Sequence, residues 1–443
     1  MPKSYLEKEP AVQRAILNQY HPCKQVKTRL ESLAATGHPT DKIELRIIGA
    51  TWSCYPKRYQ AWFIGQCFRA ANGLDPVSAN LPRPSLDTLL TAQKRNEQAK
   101  SRIIGITIET RPDYITLDEI KQLRKLGITR VELGAQSIYD DVLKLNKRGH
   151  GIKQTIQATG LLKDAGFKVS YQIMPNLPGS TLKKDKEMFK ELFSNPAFMP
   201  DALKIYPLAL VKQAPLYKWY KQGKYRPYSQ KQLTKLLVEI KKYIPRWCRV
   251  ERIIRDIPST NIMAGGAKKT NLREIVQKQM AADGQKCQCI RCREVGADYN
   301  TKEKLYLFRE DYPASGAREV FLSFENKTRT RLYAILRLRL PRPDLGSRGS
   351  SRPDSRGRGG LLAVLKNAAL IRELHTYGPA TPLGQKGPSQ HRGLGKKLIQ
   401  EAERITRQTG FPKIAVISGI GAKPYYRKLN YRLKDTYMLK NLQ

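Results

Sequence analysis

The sequence predicts an α/β protein whose first half folds as parallel βαβ units and whose last third folds as a mixed α+β domain. The main observation is a series of short apolar segments that alternate with stretches of helical spacing, such as 117–126 and 154–165. Strands that are separated by single helices pair in parallel, as in an α/β barrel or an open sheet. The predicted parallel strands are 43–48, 103–108, 130–133, 168–173 and 202–206.

The pattern changes beyond Tyr299, where apolar runs follow one another without helices between them. Residues 305–308, 320–324 and 332–340 are predicted as antiparallel strands. Leucine and arginine alternate at the end of the last one, which is typical of a strand with one apolar and one polar face.

These patterns divide the 443 residues into four segments. The segments are a basic helical stretch over 1–40, an α/β barrel over 41–242, a basic cysteine-containing linker over 243–298 and the mixed domain over 299–443. Residues 341–360 (PRPDLGSRGSSRPDSRGRGG) form an insertion in the mixed domain that we predict to be disordered. Such a tract is typical of a solvated loop, although it can also hold RNA phosphates.

The composition indicates a folded protein with a polyanionic partner. The chain carries 81 Lys+Arg against 38 Asp+Glu, a net charge of +43, while 40% of its residues are hydrophobic and can form sizeable cores. Nucleic acid is the first partner that such a charge suggests. The sequence shows no apolar run that would span a bilayer, no apolar signal segment at its start and no regular cysteine spacing. We therefore expect a cytoplasmic protein without membrane contact.

Polar or conformationally special residues follow several of the predicted parallel strands. Gly49 and Thr51 follow the first strand, and Glu109 follows the second. Gln136 and Ser137 follow the third. The carboxyl ends of parallel strands meet at one edge of the sheet, where α/β proteins bind ligands. The pattern predicts a binding site at this edge, although glycine and proline also mark ordinary βα turns.

A glycine-rich segment, Gln390 to Gly395, precedes a helical pattern in the last domain. Its glycines let consecutive backbone N–H groups turn toward one anion at a helix N-terminus, which suits a pyrophosphate. A predicted strand at 413–417 and the pair Tyr425 and Tyr426 follow. Together these features resemble the acetyl-CoA site of GNAT acetyltransferases. The alternative is a glycine-rich helix start with tyrosines in the core.

Cys287, Cys289 and Cys292 lie within a span of six residues. Three thiolates at this spacing suit a zinc site, which normally has four ligands, and Cys248 is a candidate for the fourth. Three free thiols, or an iron–sulfur cluster with one open iron, are the alternatives. The tight spacing favours structural zinc.

Several runs of residues resemble the family of the catalytic subunit of Elongator, across nearly the whole chain. In the first half they include ITIETRPDYI (106–115), VELGAQSIYDDVL (131–143) and LKIYP (203–207). In the last part they include QHRGLGKKLIQEAERI (390–405) and KIAVISGIGAKPYYRKLNYRL (413–433). The resemblance implies a partial (β/α) barrel of the radical S-adenosylmethionine (SAM) type, followed by a GNAT-like mixed α+β domain.

The resemblance also implies an activity, a tRNA-modifying acyltransferase that acts on the wobble uridine of the anticodon loop. It implies that acetyl-CoA binds to the second domain and that SAM and a [4Fe–4S] cluster supply radical chemistry in the first. Together these would place a carboxymethyl group on carbon 5 of the uracil. A homodimer or Elongator-like partner subunits are compatible with it. Two other functions stay open, a tRNA-binding acetyl-CoA hydrolase or acetyltransferase without radical chemistry, and a lysine acetyltransferase.

Matched residue by residue, the resemblance assigns roles to particular side chains. The loops around SAM would contain Gly49, Thr51, Glu109, Gln136 and Ser137. The CoA pyrophosphate loop would contain Gln390, Gly393, Leu394, Gly395 and Lys396. The further catalytic residues would be Tyr425 and Tyr426, near the acetyl group, and Lys204, on a basic path with Tyr206, Arg252 and Arg255.

Two features depart from the family. Its cluster motif, C-x4-C-x2-C, lies just upstream of the segment matched by 2–5, and this chain begins after it. Cys23, Cys54 and Cys67 lack the spacing to replace the motif. We therefore expect no [4Fe–4S] ligands in this sequence, and reductive cleavage of SAM needs them. In addition, Pro424 removes a backbone donor beside the expected acetyl-CoA site.

Overall fold

The computed structural model describes residues 5–49, 51–76, 86–269, 271–341, 362–379 and 393–442. Its strands form one sheet of six strands and one of seven. The first sheet is parallel throughout and the second is mixed, which confirms the predicted fold class. Two features of the sequence analysis lie outside the described residues, namely 342–360 of the predicted insertion and Gln390.

The first sheet holds its six strands in chain order, each parallel to its neighbours. Right-handed crossovers in this order place the connecting helices on one face, as in a half-barrel. The strands are β1 (Lys42–Ile47), β2 (Arg102–Thr110), β3 (Arg130–Gln136), β4 (Lys168–Ile173), β5 (Ala202–Ile205) and β6 (Arg249–Arg252). The helices around it are α1 (Pro10–Leu17), α2 (Pro22–Ala35), α3 (Lys57–Ala71), α4 (Leu86–Asn96), α5 (Leu117–Lys125), α6 (Asp140–Leu145), α7 (Ile152–Asp164), α8 (Leu182–Ser194), α9 (Leu216–Lys221) and α10 (Gln230–Tyr243).

Two strands of this sheet run further than the sequence predicted. β2 continues to Thr110 and β3 to Gln136, so Glu109 and Gln136 belong to the strand ends instead of the following loops. The segment 243–298, predicted as a linker, contributes β6 to this sheet. It also contains the helices α11 (Leu272–Ala282) and α12 (Ile290–Arg293).

The second sheet has the strand order β12-β13-β11-β10-β9-β8-β7. Its strands are β7 (Tyr306–Ala314), β8 (Ala317–Glu325), β9 (Leu332–Leu340), β10 (Ala368–Thr376), β11 (Lys413–Val416), β12 (Arg432–Lys434) and β13 (Tyr437–Asn441). The helices of this domain are α13 (Leu394–Gln408) and α14 (Lys423–Arg427). α13 begins after Gly393 and ends just before Gly410, which is the helix end that the sequence predicted.

β10 and β11 separate from each other within the second sheet. They pair in parallel only from Ala368 to Ile371, although β10 continues for five more residues. Over that stretch β9 is the only described strand that pairs with β10. Among the described residues, the other edge of β10 therefore faces a gap between β10 and β11, and α13 begins beside it, since a Cβ atom at Gly395 would lie 3.9 Å from Thr376.

The second domain packs tightly against the amino-terminal edge of the first sheet. A Cβ atom at Gly419 would lie 1.9 Å from the carbonyl oxygen of Ile104, so only glycine fits there. The Tyr437 hydroxyl donates a hydrogen bond to the carbonyl oxygen of Ala165, at 2.7 Å. One hydrophobic core extends through both domains. Within the described ranges, no helix combines the length and the apolar character that crossing a membrane requires.

The arginines of β9 do not form the polar outer face that their alternation with leucine suggested. Arg337 and Arg339 are 1% and 0% exposed. Arg339 binds Asp164, from the end of α7, and Glu319 of β8. Arg337 Nε lies 2.8 Å from a carboxylate oxygen of Glu373. The first domain covers this face of the strand and supplies part of its counter-charge, which a local sequence pattern does not reveal.

Candidate active site

The carboxyl ends of β1, β2 and β3 bring together five predicted residues at one edge of the first sheet, which we call the rim. Its members are Gly49, Thr51, Glu109, Gln136 and Ser137. Glu109, Gln136 and Ser137 are buried, whereas Gly49 is exposed and Thr51 is half-buried. The predicted convergence of these strand ends is present, and the role of these residues toward SAM stays a prediction.

The backbone at the rim is strained at two residues other than glycine. Gln136, the last residue of β3, has a φ of 67°, and Asn176, after β4, has a φ of 69°. The carbonyl of Gln136 accepts a hydrogen bond of 2.9 Å from the N–H of Met174, which ties the two strand ends together. Conformations of this kind cost about 1–3 kcal/mol and cluster at ligand-binding sites.

A buried ion pair lies beside the rim. Lys204 Nζ, on β5, lies 3.3 Å from Glu109 Oε1 and also contacts Glu132. Gln172 Nε2 donates to Glu109 Oε1 at 3.0 Å, and the hydroxyl of Tyr5 donates to Glu109 Oε2. Burial raises the pKa of Glu109 even though Lys204 opposes the shift. Both oxygens of this carboxylate are therefore held by the chain's own donors.

A network of alternating charges continues from this ion pair into the interior of the half-barrel. Glu132 lies 2.6 Å from Arg46 and 3.4 Å from Arg130, and both arginines also bind Glu251. Burial alone would raise the pKa of Glu132, but Lys204 and the two arginines hold it at about 2. Since each charge has an opposite partner, Glu132, Arg130 and Glu251 stay ionised although their side chains are at most 10% exposed.

Tyr5 joins the rim to the predicted basic path. The Arg255 guanidinium lies 5.8 Å from the ring centroid of Tyr5 and 5.7 Å from that of Tyr206, which is a cation–π arrangement with both rings. Arg252, also predicted on this path, pairs with Asp256.

Two residues of this site were not predicted from the sequence, namely Tyr5, which contacts Glu109, and Glu132, which contacts Lys204. A signal for Glu132 was present, since charged residues inside otherwise apolar strands need buried partners. No such signal pointed to Tyr5, which precedes the first helix.

The start of α13 forms the second candidate site. Gly393 is left-handed, with a φ of 61°, and no side chain caps the helix. The first helical hydrogen bond runs from Lys397 N–H to the carbonyl of Gly393, at 3.0 Å. The N–H groups of Leu394, Gly395 and Lys396 therefore have no acceptor within the helix, and they are suited to bind an anion.

Tyr425, and not Tyr426, reaches this helix start. A Cβ atom at Gly395 would lie 3.1 Å from the Tyr425 hydroxyl oxygen, so the absence of a side chain at Gly395 makes room for that hydroxyl. Tyr425 is 40% exposed. Tyr426 is buried, and its ring packs edge-on against those of Tyr425 and Tyr431. Pro424 lies in the first turn of α14, where a helix has no use for the missing N–H.

The three clustered cysteines form a compact set of thiols away from the rim. The sulfur atoms of Cys287, Cys289 and Cys292 all lie within 4.8 Å of one another. Lys241 Nζ lies 3.6 Å from the sulfur of Cys292. Cys248 is not part of the set; its thiol is buried in the core, and its carbonyl accepts a hydrogen bond from the loop that holds the triad.

The spacing of these thiols fits one metal ion better than an iron–sulfur cluster. Tetrahedral zinc with Zn–S bonds of about 2.3 Å places its sulfur ligands about 3.8 Å apart. A [4Fe–4S] cluster binds each thiolate to a different iron, which spreads them further. Within the described part of the chain, no other group of three or more cysteine, histidine or acidic side chains is close enough to bind one metal. The described residues of the rim therefore do not fit a [4Fe–4S] cluster by themselves.

Comparison with known protein families identifies the first domain. Residues 79–192 match the radical SAM superfamily, and residues 200–282 match the radical SAM C-terminal domain. Together these matches cover the sheet from β2 to β6 and the helix α11 that follows it. A radical SAM domain implies SAM and an iron–sulfur cluster as cofactors.

Curated relatives match the whole chain. A protein named tRNA uridine(34) acetyltransferase from Methanocaldococcus infernus is 45% identical, and the alignment covers 100% of this chain and 80% of that protein. A protein of the same name from Dehalococcoides mccartyi is 42% identical, with 100% and 92% coverage. Elongator complex protein 3 from Homo sapiens is 39% identical, with 100% and 77% coverage.

A solved structure supports the same assignment. The archaeal Elp3 of Methanocaldococcus infernus, with an N-terminus deletion (1–46), superposes with a TM-score of 0.84 at 44% sequence identity. The match covers 96% of each chain, and thus both sheets. The chain therefore belongs to the family of the tRNA uridine(34) acetyltransferases and Elongator complex protein 3.

Proposed function

We propose that this chain is an acyltransferase that modifies the wobble uridine of tRNA, using acetyl-CoA at the start of α13 and SAM at the rim. The product is a carboxymethyl group on carbon 5 of the uracil. The observation that carries the proposal is the joining of a radical SAM half-barrel and an open, uncapped helix start within one core. The relatives named for tRNA uridine(34) and the net charge of +43 support tRNA as the substrate.

The start of α13 suits the pyrophosphate of CoA. The N–H groups of Leu394, Gly395 and Lys396, which have no acceptor within the helix, point toward its N-terminus, where the helix dipole favours an anion. The exposed ammonium of Lys396 adds a positive charge beside them. The gap between β10 and β11 then receives the rest of the molecule. Gln390 belongs to the same proposed loop by its position in the sequence.

Tyr425 is the residue that we assign to the thioester. Burial raises the pKa of its hydroxyl, which therefore keeps its proton at neutral pH. A neutral hydroxyl can donate a hydrogen bond to the thioester oxygen as water attacks the carbonyl carbon, or give a proton to the departing thiolate of CoA. The neighbouring Tyr426 supports the position of this ring from the core.

The rim suits SAM through its polar groups. Oε2 of Glu109 accepts one hydrogen bond, from Tyr5, and can accept a second from SAM. The strand-end residues Gln136 and Ser137 offer acceptors and donors to the amino-acid and ribose groups of SAM, and Gly49 and Thr51 lie at the same edge of the sheet. Lys204 holds Glu109 in place and is the buried cation nearest to that carboxylate. SAM supplies radical chemistry when it is bound with an iron–sulfur cluster.

The cysteine triad is assigned to structural zinc. Cys287, Cys289 and Cys292 would supply three thiolates, and the positive charge of Lys241 offsets part of their negative charge. The N–H of Ile290, which lies between Cys289 and Cys292, donates a hydrogen bond to the carbonyl of Cys248, just before β6. This bond holds the cysteine segment against the first sheet.

A second function is acetyl-CoA hydrolysis without radical chemistry. The helix start and Tyr425 both belong to the second domain, which packs on the edge of the first sheet opposite the rim. Thioester cleavage there needs no side chain of the rim.

One labelling experiment separates the two functions. Protein in which iron and sulfide analysis has first shown a bound [4Fe–4S] cluster is incubated with acetyl-CoA labelled in the methyl carbon, SAM, a reductant and unmodified tRNA. We expect label in the tRNA, as carboxymethyluridine at the wobble position in nucleoside mass spectrometry. Free acetate without labelled nucleoside would overturn the first function and support the second. Neither product would overturn both.

A further inference from the structure

The segment that follows β5 is strongly basic. Residues 207–238 contain seven Lys or Arg and no Asp or Glu. Residues 216–221 of this segment form the short helix α9. A uniform sign of charge over so many residues repels cations and attracts a polyanion.

Aromatic rings accompany these charges on α9. Trp219 is 39% exposed, whereas Trp52 and Trp247 are 4% and 5% exposed in the core. The rings of Tyr217 and Tyr220 stack on each other, with centroids 6.2 Å apart and an interplanar angle of 27°. We call Tyr217, Lys218, Trp219, Tyr220, Lys221 and Lys224 the α9 platform.

The cations of this segment are available to a partner. Lys218, Lys221 and Lys224 are exposed, and none forms an ion pair with a carboxylate of the described residues. Lys221 Nζ lies 5.8 Å from the ring centroid of Tyr217, so it also supports the aromatic surface. By contrast, the exposed Lys27 on α2 is paired with Asp75.

The platform is fixed firmly to the rim. Leu216 of α9 and the nearby Tyr225 pack in one apolar cluster with Met174 and Leu177, which follow β4. The Tyr225 hydroxyl donates to the carbonyl of Asn176 at 2.9 Å. Tyr206, which precedes this segment on the predicted path, borders the same cluster. A ligand bound to the α9 platform would therefore lie near the carboxyl end of β4, next to the rim.

We propose that the α9 platform binds the unpaired part of an RNA loop, with one base stacked on Trp219 and the flanking phosphates held by Lys218, Lys221 and Lys224. This inference rests on the proposed function and assigns a surface for its substrate. A lysine-rich face that merely keeps the protein soluble does not require an exposed tryptophan beside stacked tyrosines. Positively charged grooves with aromatic side chains are the usual surface for single-stranded nucleic acid, since every base has a face to stack.

The test compares two fluorescent RNAs of equal length and charge, an anticodon stem-loop and a fully paired duplex, by anisotropy with the full chain. We expect Trp219→Ala to weaken stem-loop binding about 5–100-fold, because a stacked base contributes about 1–3 kcal/mol. Binding of the duplex should change less than about 2-fold, since phosphate contacts do not depend on stacking. Trp219→Phe should restore most of the stem-loop affinity, because an aromatic face remains.

A matched control removes another exposed apolar side chain, with Leu433→Ala in β12, where 43% of the side chain is exposed. It should leave both affinities unchanged, and thermal unfolding of each variant shows whether the fold is intact. Equal stem-loop binding by Trp219→Ala and the unchanged chain overturns the inference and leaves the proposed function standing. Equal weakening of stem-loop and duplex also overturns it, because it makes Trp219 a structural support. Failure of the unchanged chain to bind either RNA contradicts the proposed function itself.

Discussion

The Tyr425 hydroxyl lies against the first turn of α13, where the backbone leaves three N–H groups without helical partners. The juxtaposition depends on Gly395, because any Cβ atom would approach that hydroxyl to 3.1 Å. From the sequence alone, Tyr425 and Tyr426 were equally good candidates for the residue beside the acetyl group. Their packing distinguishes them, because the Tyr425 ring lies against the start of α13 and the Tyr426 ring is buried.

Tyr425→Phe should lower the rate of acetyl-CoA hydrolysis by about 10–100-fold with little change in KM, because it removes a donor that acts on the developing charge. Steady-state kinetics with thiol detection would measure both constants. Tyr426→Phe serves as the comparison, since its ring is buried. The assignment is contradicted if the change at Tyr426 costs as much activity as the change at Tyr425.

The charge network below the rim makes a prediction about acid stability. The folded-state pKa of Glu132 is about 2, below its ordinary value of about 4.5. Its ionisation therefore stabilises the fold fully above pH 4.5, and this stabilisation is lost as the pH falls toward 2. We expect the free energy of unfolding to fall less steeply over this range in Glu132→Gln than in the unchanged chain.

Urea unfolding at pH 7, 4.5 and 3 would measure that dependence. Asp118→Asn is the control, because the Asp118 side chain on α5 is 83% exposed and its pairing with Lys121 is weak. Parallel pH profiles for Glu132→Gln and the unchanged chain would show that Glu132 is not the titrating group.

At the scale of the elements, the sequence predicted most strands and the convergence of their carboxyl ends. β4 and β9 have the predicted bounds, because apolar runs that end at a turn define a buried strand. The burial of the β9 arginines was not predictable, because Asp164 and Asp201, which bind arginines of the second sheet, come from the first domain. The gap between β10 and β11 could not be predicted either, since it depends on the residue at which the pairing between these two strands ends.

The interface between the two sheets should be sensitive to the loss of one cation. Arg372, on β10, binds Asp201 and Glu319 and is fully buried. Arg372→Met leaves both carboxylates buried with less compensation, and we expect a loss of about 3–5 kcal/mol in the free energy of unfolding. Lys27→Met, which breaks an exposed ion pair, should leave the free energy of unfolding nearly unchanged. Equal losses in urea titrations would contradict this account of the interface.

The cysteine segment should bind one zinc ion per chain. Metal analysis of the purified protein should find one equivalent, and Cys289→Ser should remove it and lower the unfolding temperature, because metal binding contributes to folding. Cys248→Ser should retain the metal, since this thiol lies outside the triad. Zinc loss from Cys248→Ser, or a metal-free protein after growth in zinc, would contradict the assignment.

One hydrophobic core extends through the whole molecule and supports both candidate sites. The net charge of +43 by itself predicts a nucleic-acid partner, without reference to the fold. Composition could not show that the two sheets share one hydrophobic core and a buried ionic interface, on which both proposed sites stand.

The most direct test is the rate of acetyl-CoA hydrolysis by the purified full chain, with and without bulk tRNA. The account predicts that tRNA stimulates hydrolysis, that Tyr425→Phe abolishes most of the stimulated rate, and that rising salt weakens the stimulation by releasing tRNA. Hydrolysis that is indifferent to tRNA, or absent under both conditions, would contradict the claim that this chain couples an acetyl-CoA site to a tRNA site.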